Sequence, residues 1–292
     1  MTREERHKAI VRRRIFVSFC VIIIAAVAAL IIYAARAVFT TDGEDKNRSD
    51  SGISSMSSQS SDDQQDSSAD NSSESEPDTP SYPDEGPNGL DANYSKLLLV
   101  NGEHPLAEDY DYQANLMTIP NEYLNNSWFK QIGGQIDKDV WPYMKAMIDA
   151  AWEDGVDLYV WSPYRSYDMQ KTLFDNQVSS CKANDPSLTQ AEAEAKAATV
   201  VARPGASEHH TGLAADFNMA SDSFENTEMY KWMQENAEDY GFVMRYSAEK
   251  QPITGVIHES WHYRFVGINN AKEMNRLGMC LEEYLEYLDK NS

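Results

Sequence analysis

The chain has 292 residues, a formal net charge of −22 and three cysteines. Such an acidic balance excludes a nucleic-acid-binding surface of the usual kind, because phosphate recognition needs a basic face. The charge is unevenly spread: residues 1–39 carry a net +5, residues 40–92 a net −12 and residues 93–292 a net −15. Only the last stretch mixes apolar, aromatic and polar residues as a globular domain does.

In chain order, residues 15–35 form an uncharged run dominated by Ile, Val, Ala and Phe. A helix of that length spans about 30 Å, the hydrocarbon thickness of a bilayer. Arg12, Arg13 and Arg14 directly precede it, and positive charge stays on the cytoplasmic side. The expected topology is therefore a basic tail (1–14) inside, a transmembrane helix (15–35), and the rest outside, a single-pass membrane protein with an extracellular domain. A cleaved signal peptide ending near Ala35-Arg36-Ala37 is the alternative, and it too exports the remainder. Residues 36–92 are an acidic, Ser-rich linker that holds almost no large apolar residue. Such a segment cannot offset the entropy of ordering and is expected to be disordered. As a flexible coil it reaches on the order of 40 Å, and about 170 Å when stretched.

Residues 93–292 read as one folded domain. Leu97-Leu98-Leu99-Val100 is a short apolar run expected to be a buried strand. Residues 140–153 place Trp141, Met144, Met147, Ile148 and Ala151 at helical spacing, with Gly155 as the stop. Strands are expected at 156–161, 213–217, 242–246 and 262–266. Helices are expected at 166–178, 189–201, 225–240, 269–277 and 281–288, with Thr189 as an N-cap. Helices and short strands in irregular order indicate an α+β fold rather than a wound βαβ sheet. Cys20 lies in the apolar run; Cys181 and Cys280 are compatible with a disulfide or with free buried thiols.

Two segments concentrate unusual chemistry, residues 203–217 and 258–264, which hold four of the six histidines. His258-Glu259-Ser260-Trp261-His262 matches a His-Glu-x-x-His zinc signature, but that motif needs a helix. Pro252 and Gly255 lie upstream and an aromatic, β-branched run lies downstream, so the segment reads as a strand. There the two histidines stand roughly 13 Å apart, too far for one ion.

A different pattern fits. Ser207-x-His209-x-x-Gly212-x-Ala214-x-Asp216, followed by Glu259-x-x-His262 with Trp261 before the histidine, resembles the VanY-type D-alanyl-D-alanine carboxypeptidases. These belong to the zinc DD-peptidase group, which shares a fold core with the hedgehog signalling domain. The stretch from Trp161-Ser162-Pro163-Tyr164-Arg165 to Gln170 resembles the same family's Arg-containing substrate motif, and Leu98-Leu99-Val100-Asn101 its domain entrance. The resemblance covers about residues 95–290, with separated motifs in family order.

The resemblance implies a small antiparallel sheet flanked by helices. It implies Zn2+ held by His209, Asp216 and His262, a set that leaves a position for water as a catalytic zinc site needs. Glu259 is the implied general base, and Arg165 the implied cation for the oxyanion. Gln170 and Ser207 are implied substrate-binding residues. The implied reaction is removal of the terminal D-alanine from peptidoglycan stem peptides. L,D-carboxypeptidase action on tetrapeptide stems and a non-catalytic peptidoglycan-binding module are the alternatives. His210 is left outside the ligand set, and His258 reads as a solvent-facing residue without a role, the alternative being a hydrogen-bonding residue behind the site.

Overall fold

The computed structural model describes residues 84–110 and 115–291. In chain order these form β1 (Leu116–Thr118), α1 (Ser127–Ile132), β2 (Gln135–Asp137), α2 (Trp141–Glu153) and β3 (Val160–Ser162). Next come α3 (Tyr167–Asn184), α4 (Gln190–Ala198), β4 (Ala214–Phe217), α5 (Glu228–Asn236) and β5 (Phe242–Tyr246). The chain closes with α6 (Gln251–Thr254), β6 (Glu259–Phe265), α7 (Ile268–Leu277) and α8 (Leu281–Asn291). The architecture is the expected α+β one: β3-β4-β6-β5 make a four-stranded sheet, and β1 and β2 pair separately. Every pairing between these strands is antiparallel.

Hydrophobic burial fixes the layers. The apolar stripe of α2, Met144, Met147 and Ile148, joins Phe217, Phe242 and Phe265 of the sheet in one buried cluster. A second cluster seats α7 and α8 against Val243 and Val266. The hairpin of α3 and α4 has a small core of its own, around Phe174, Val178 and Ala193. Its helix starts are set by side chains: Ser166 accepts from the Met169 N–H, and Thr189 forms a capping box with Glu192. Caps of this kind contribute about 1 kcal/mol each.

Several elements differ from the expectation. Leu97–Val100 joins no ladder; the Leu98 carbonyl, and that of Lys96 just before the segment, accept from the Arg264 guanidinium instead. The helix expected over 225–240 is a 3-10 turn, α5 and a second 3-10 turn, broken where Asn236 leaves helical backbone geometry at φ −129°. Residues 84–92, assigned to the linker by composition, pack on the domain: Ala92 is buried and its carbonyl accepts from the Asn269 N–H. Cys181 and Cys280 are both free and buried. The span expected at 15–35 and the linker up to residue 83 lie outside the described residues, among which no helix is long and apolar enough to cross a membrane.

The sheet register prepares the site. Asp216 on β4 lies directly opposite His262 on β6, and Ser162 on β3 lies opposite Asp216. Opposed residues on antiparallel strands hold their Cβ atoms about 4.5–5.5 Å apart. The β5–β6 pairing shifts between Met244↔Tyr263 and Tyr246↔Glu259, with one residue between these pairs on β5 and three on β6. That bulge re-aims the strand, so Glu259 and His262, which a regular strand would point to opposite faces, reach the same space.

Gly212 closes the turn that delivers His209. Its φ is +67°, and a Cβ there would lie 2.8 Å from Leu116 Cδ2 and 2.9 Å from the Asp137 amide nitrogen. Gly212→Ala is therefore expected to cost at least about 1–2 kcal/mol of stability from the left-handed conformation alone. Urea denaturation measures this, and an unchanged midpoint would contradict the close approach of this turn to β1 and β2.

Candidate metal centre

His209 lies in the 3-10 turn Glu208–Thr211 between Ser207 and Gly212. Its backbone carbonyl accepts from the Arg165 N–H at 3.2 Å, tying the turn to the start of the α3 hairpin. Its Nδ1 is 2.8 Å from the Pro163 carbonyl. A carbonyl can only accept, so Nδ1 carries the proton and Nε2 presents a lone pair. Nε2 is buried without a hydrogen bond and stands 3.4 Å from Asp216 Oδ1. Burial, with the Arg165 charge adding to it, lowers the His209 pKa to about 4. The imidazole is thus neutral at physiological pH, as a ligand must be.

His262 uses the other ring nitrogen. Nε2 faces Glu208 Oε2 at 3.3 Å, while Nδ1 points to Asp216 Oδ1 at 3.0 Å. With the proton on Nε2, three electron-rich atoms converge: His209 Nε2, His262 Nδ1 and an Asp216 oxygen. Donor atoms of these residues all lie within 4.8 Å of one another, and all three side chains are buried. A tetrahedral zinc with bonds of about 2.0–2.1 Å needs donors about 3.3 Å apart, close to the 3.0 and 3.4 Å seen. Burial opposes the charge of His262, but its hydrogen bonds to Asp216 and Glu208 outweigh this and raise its pKa to about 9. The cluster therefore favours a cation, and an orphaned Nε2 beside a buried carboxylate fits a divalent metal.

Glu208 was missed by sequence reasoning. Its Oε1 accepts from Arg245 Nε at 2.8 Å and from Arg264 Nη1 at 3.0 Å, and its Oε2 faces His262. Burial pushes its pKa up, but the two guanidinium charges outweigh it and hold the carboxyl well below the ordinary range. A carboxylate behind a ligating histidine fixes the tautomer and orientation of the ring. No periodicity announces such a residue. Only its place next to His209 and the arginines at 245 and 264 hinted at it.

Glu259 Oε2 is 3.9 Å from His262 Nδ1. Burial raises its pKa to about 7; Asp216 and Glu208 push the same way, against His262 and Arg165. Burial lowers the Arg165 pKa, against the attraction of Asp216 and Glu259, and its Nε is buried without a hydrogen bond. His209, Asp216, His262, Glu259, Arg165 and Ser207 together line one cavity of about 450 Å³.

Gln170 is not brought to that cavity. It is fully buried, and its Nε2 donates to the Ala202 carbonyl at 2.7 Å, so it steadies the chain of Ala202, which does line the cavity. His210 has a structural role: Nδ1 donates to the Arg165 carbonyl and Nε2 accepts from the Gly205 N–H. His258 differs from the expectation. It joins the Tyr246 carbonyl at 2.9 Å to the Glu225 carboxylate, and so ties the turn at 222–226 to β5. Tyr246, also missed, packs its ring 5.0 Å from that of His262.

The family model for VanY, D-alanyl-D-alanine carboxypeptidase, matches residues 133–268. A D-alanyl-D-alanine carboxypeptidase of Enterococcus faecalis is 41% identical over 189 residues, which are 65% of this chain and 65% of that relative. Among solved structures, the vancomycin-resistance D,D-pentapeptidase VanY of a VanB-type cassette, in complex with Zn(II), matches at 41% identity and a TM-score of 0.54. That match covers 65% of this chain and 98% of the solved one. The chain belongs to the VanY family. Another solved structure, that of the LdcB LD-carboxypeptidase, matches at 38% identity and a TM-score of 0.55 over 64% of this chain and 84% of that one. The match spans a little under two thirds of the Enterococcus faecalis relative's length.

Removing Glu208 from this VanY-type centre leaves two buried guanidinium groups short of a counter-charge. Breaking a buried ion pair on one side costs about 3–5 kcal/mol, so Glu208→Ala is expected to lose that much unfolding free energy in urea. A loss below about 1 kcal/mol would show that Glu208 does not organise the centre.

Proposed function

We propose that the chain is a zinc-dependent D-alanyl-D-alanine carboxypeptidase that removes the terminal D-alanine from peptidoglycan stem peptides. The observation that carries this reading is the convergence of His209 Nε2, His262 Nδ1 and Asp216 beside a carboxylate with a pKa of about 7 and an unbonded guanidinium nitrogen. It is joined by the 41% identity to a structure holding Zn(II).

His209, Asp216 and His262 hold the zinc; when bound, the ion supplies Lewis acidity that brings a water's pKa down towards ~7. Glu259 takes the proton from the attacking water and returns it to the departing amine, a role suited to a group titrating near neutrality. Arg165, whose Nε has no protein partner, holds the negative charge that develops on the scissile carbonyl oxygen. Ser207, on the cavity wall, is placed to hydrogen-bond the substrate. Gln170 acts at one remove, through Ala202. A binding module without catalysis has no use for an acid–base carboxylate and a cation set around the same donors.

The second reading is L,D-carboxypeptidase action on tetrapeptide stems, favoured by the likeness to LdcB. We also propose that residues 15–35 anchor the protein in the cell membrane and that the linker carries the domain on the wall side. This rests on the uncharged run and the arginines before it.

Full-length zinc-loaded protein is to be incubated with penta- and tetrapeptide stems, with D-alanine release followed by mass spectrometry. Loss of one D-alanine from the pentapeptide is expected; cleavage of the tetrapeptide alone moves the assignment to the second reading. Glu259→Ala is expected to lower kcat by about 10²–10⁴-fold while zinc content is unchanged. The working form of Glu259 is the carboxylate, so kcat/KM should rise with pH through an acid limb at or below about 7, because a neighbouring cation lowers the metal-free value. Activity that climbs as the pH falls towards 5 would rule out this role.

A further inference from the structure

A second cavity, of about 600 Å³, opens beside the metal centre and shares Arg165, Asp216 and Ala220 with it. Its remaining wall is largely apolar: Trp128, Phe129, Trp161, Met169 and Leu173. Trp128 is 55% exposed and Leu173 37% exposed. Large apolar side chains gathered at a cavity rim mark a binding site rather than a core. Trp128 is held there by a rigid local frame: α1 is capped by Asn126, whose side chain accepts from the Trp128 N–H, and ends at Gly133.

One carboxylate belongs to this cavity and not to the metal cavity, that of Asp168. It lies in the first turn of α3, where an acidic residue is favourable on its own account. Its backbone carbonyl takes the Thr172 hydroxyl at 3.0 Å, while the side chain stands on the cavity wall. An exposed carboxylate on the same cavity wall as two tryptophans suits an ammonium group, which gains both charge pairing and attraction to aromatic rings.

Building on the carboxypeptidase reading, we infer that this cavity receives the acyl side of the stem peptide. Asp168, with Trp128 and Trp161 on the same wall, selects an amino-terminated side chain on the residue preceding the two terminal alanines. Continuity supports the placement. Arg165 and Asp216 line both cavities, and two residues of extended chain cover about 7 Å, enough for a peptide whose last amide lies at the metal centre to enter the neighbouring space. Asp168 then reads the charge of the diamino residue, and the tryptophans read its aliphatic stem.

The test is binding to full-length, zinc-loaded protein carrying Glu259→Ala, so that peptides stay intact. Pentapeptide stems with lysine or Nε-acetyl-lysine at the third position are titrated calorimetrically, beside N-acetyl-D-Ala-D-Ala, which lacks that residue. The lysine stem is expected to bind about tenfold more tightly than the acetylated one. Adding Asp168→Asn should shrink that gap to less than about twofold, and adding Trp128→Ala should weaken both stems. The short peptide should bind all these proteins alike. Equal binding of the two stems to the parent protein, or an Asp168→Asn effect equal on stems and short peptide, overturns the inference. Cleavage of the short peptide by the unsubstituted enzyme without any third-residue discrimination leaves the carboxypeptidase reading standing and this inference refuted. Absence of cleavage of every peptide removes both.

Discussion

The centre depends on one buried carboxylate. Glu208 receives Arg245 and Arg264 on one oxygen and His262 on the other, and each partner reaches a different part of the chain. Arg264 also donates to the carbonyls of Lys96 and Leu98, Arg245 pairs with Glu282 at the start of α8, and Asn101 donates to the same Glu282 oxygen. The entrance segment, β5, β6 and the last helix are thus gathered around the residue that orients a metal-ligating ring. Buried ion pairs are weak contributors to net stability, because desolvation offsets much of their attraction. What this one contributes is a fixed place and a fixed tautomer for His262.

Register does the rest. Because Asp216 and His262 face each other across β4 and β6, two of the donors come from the most constrained part of the fold. His209 arrives from a turn, which is pinned by its own carbonyl to Arg165 and by its Nδ1 to Pro163. Asn218, two residues beyond Asp216, adopts φ 56° and bonds the Tyr159 N–H and the Asp157 carbonyl, so the end of β4 cannot slide along β3. The bulge on β6 then brings Glu259 beside His262. Rigid donors, a bulge and an unbonded guanidinium nitrogen meet at one cavity, the arrangement that preorganised catalysis requires.

The site was more legible in the sequence than the fold around it. His209, Asp216 and His262 could be picked out because their separated motifs stand in family order, and the β-branched flanks of His262 correctly argued against a helix. α2 and α4 were readable from an apolar stripe and from Thr189 as an N-cap. β1 and β2 were not, because three-residue strands leave no periodicity to detect. Leu97–Val100 looked like a strand by composition, yet a side chain rather than a neighbouring strand takes the Leu98 carbonyl. The partners of Glu208 and His258 could not be read for a related reason: they lie 12 to 56 residues away, a separation that no local pattern encodes.

The central claim is that two imidazoles and one carboxylate of this chain form a metal centre. X-ray absorption of the zinc-loaded full-length protein tests it most directly. The account predicts two imidazole nitrogens at about 2.0–2.1 Å and oxygen ligands completing a four-coordinate shell, with one imidazole lost in His262→Ala. A sulfur ligand, a shell of oxygens alone, or a spectrum unchanged by His262→Ala would contradict it.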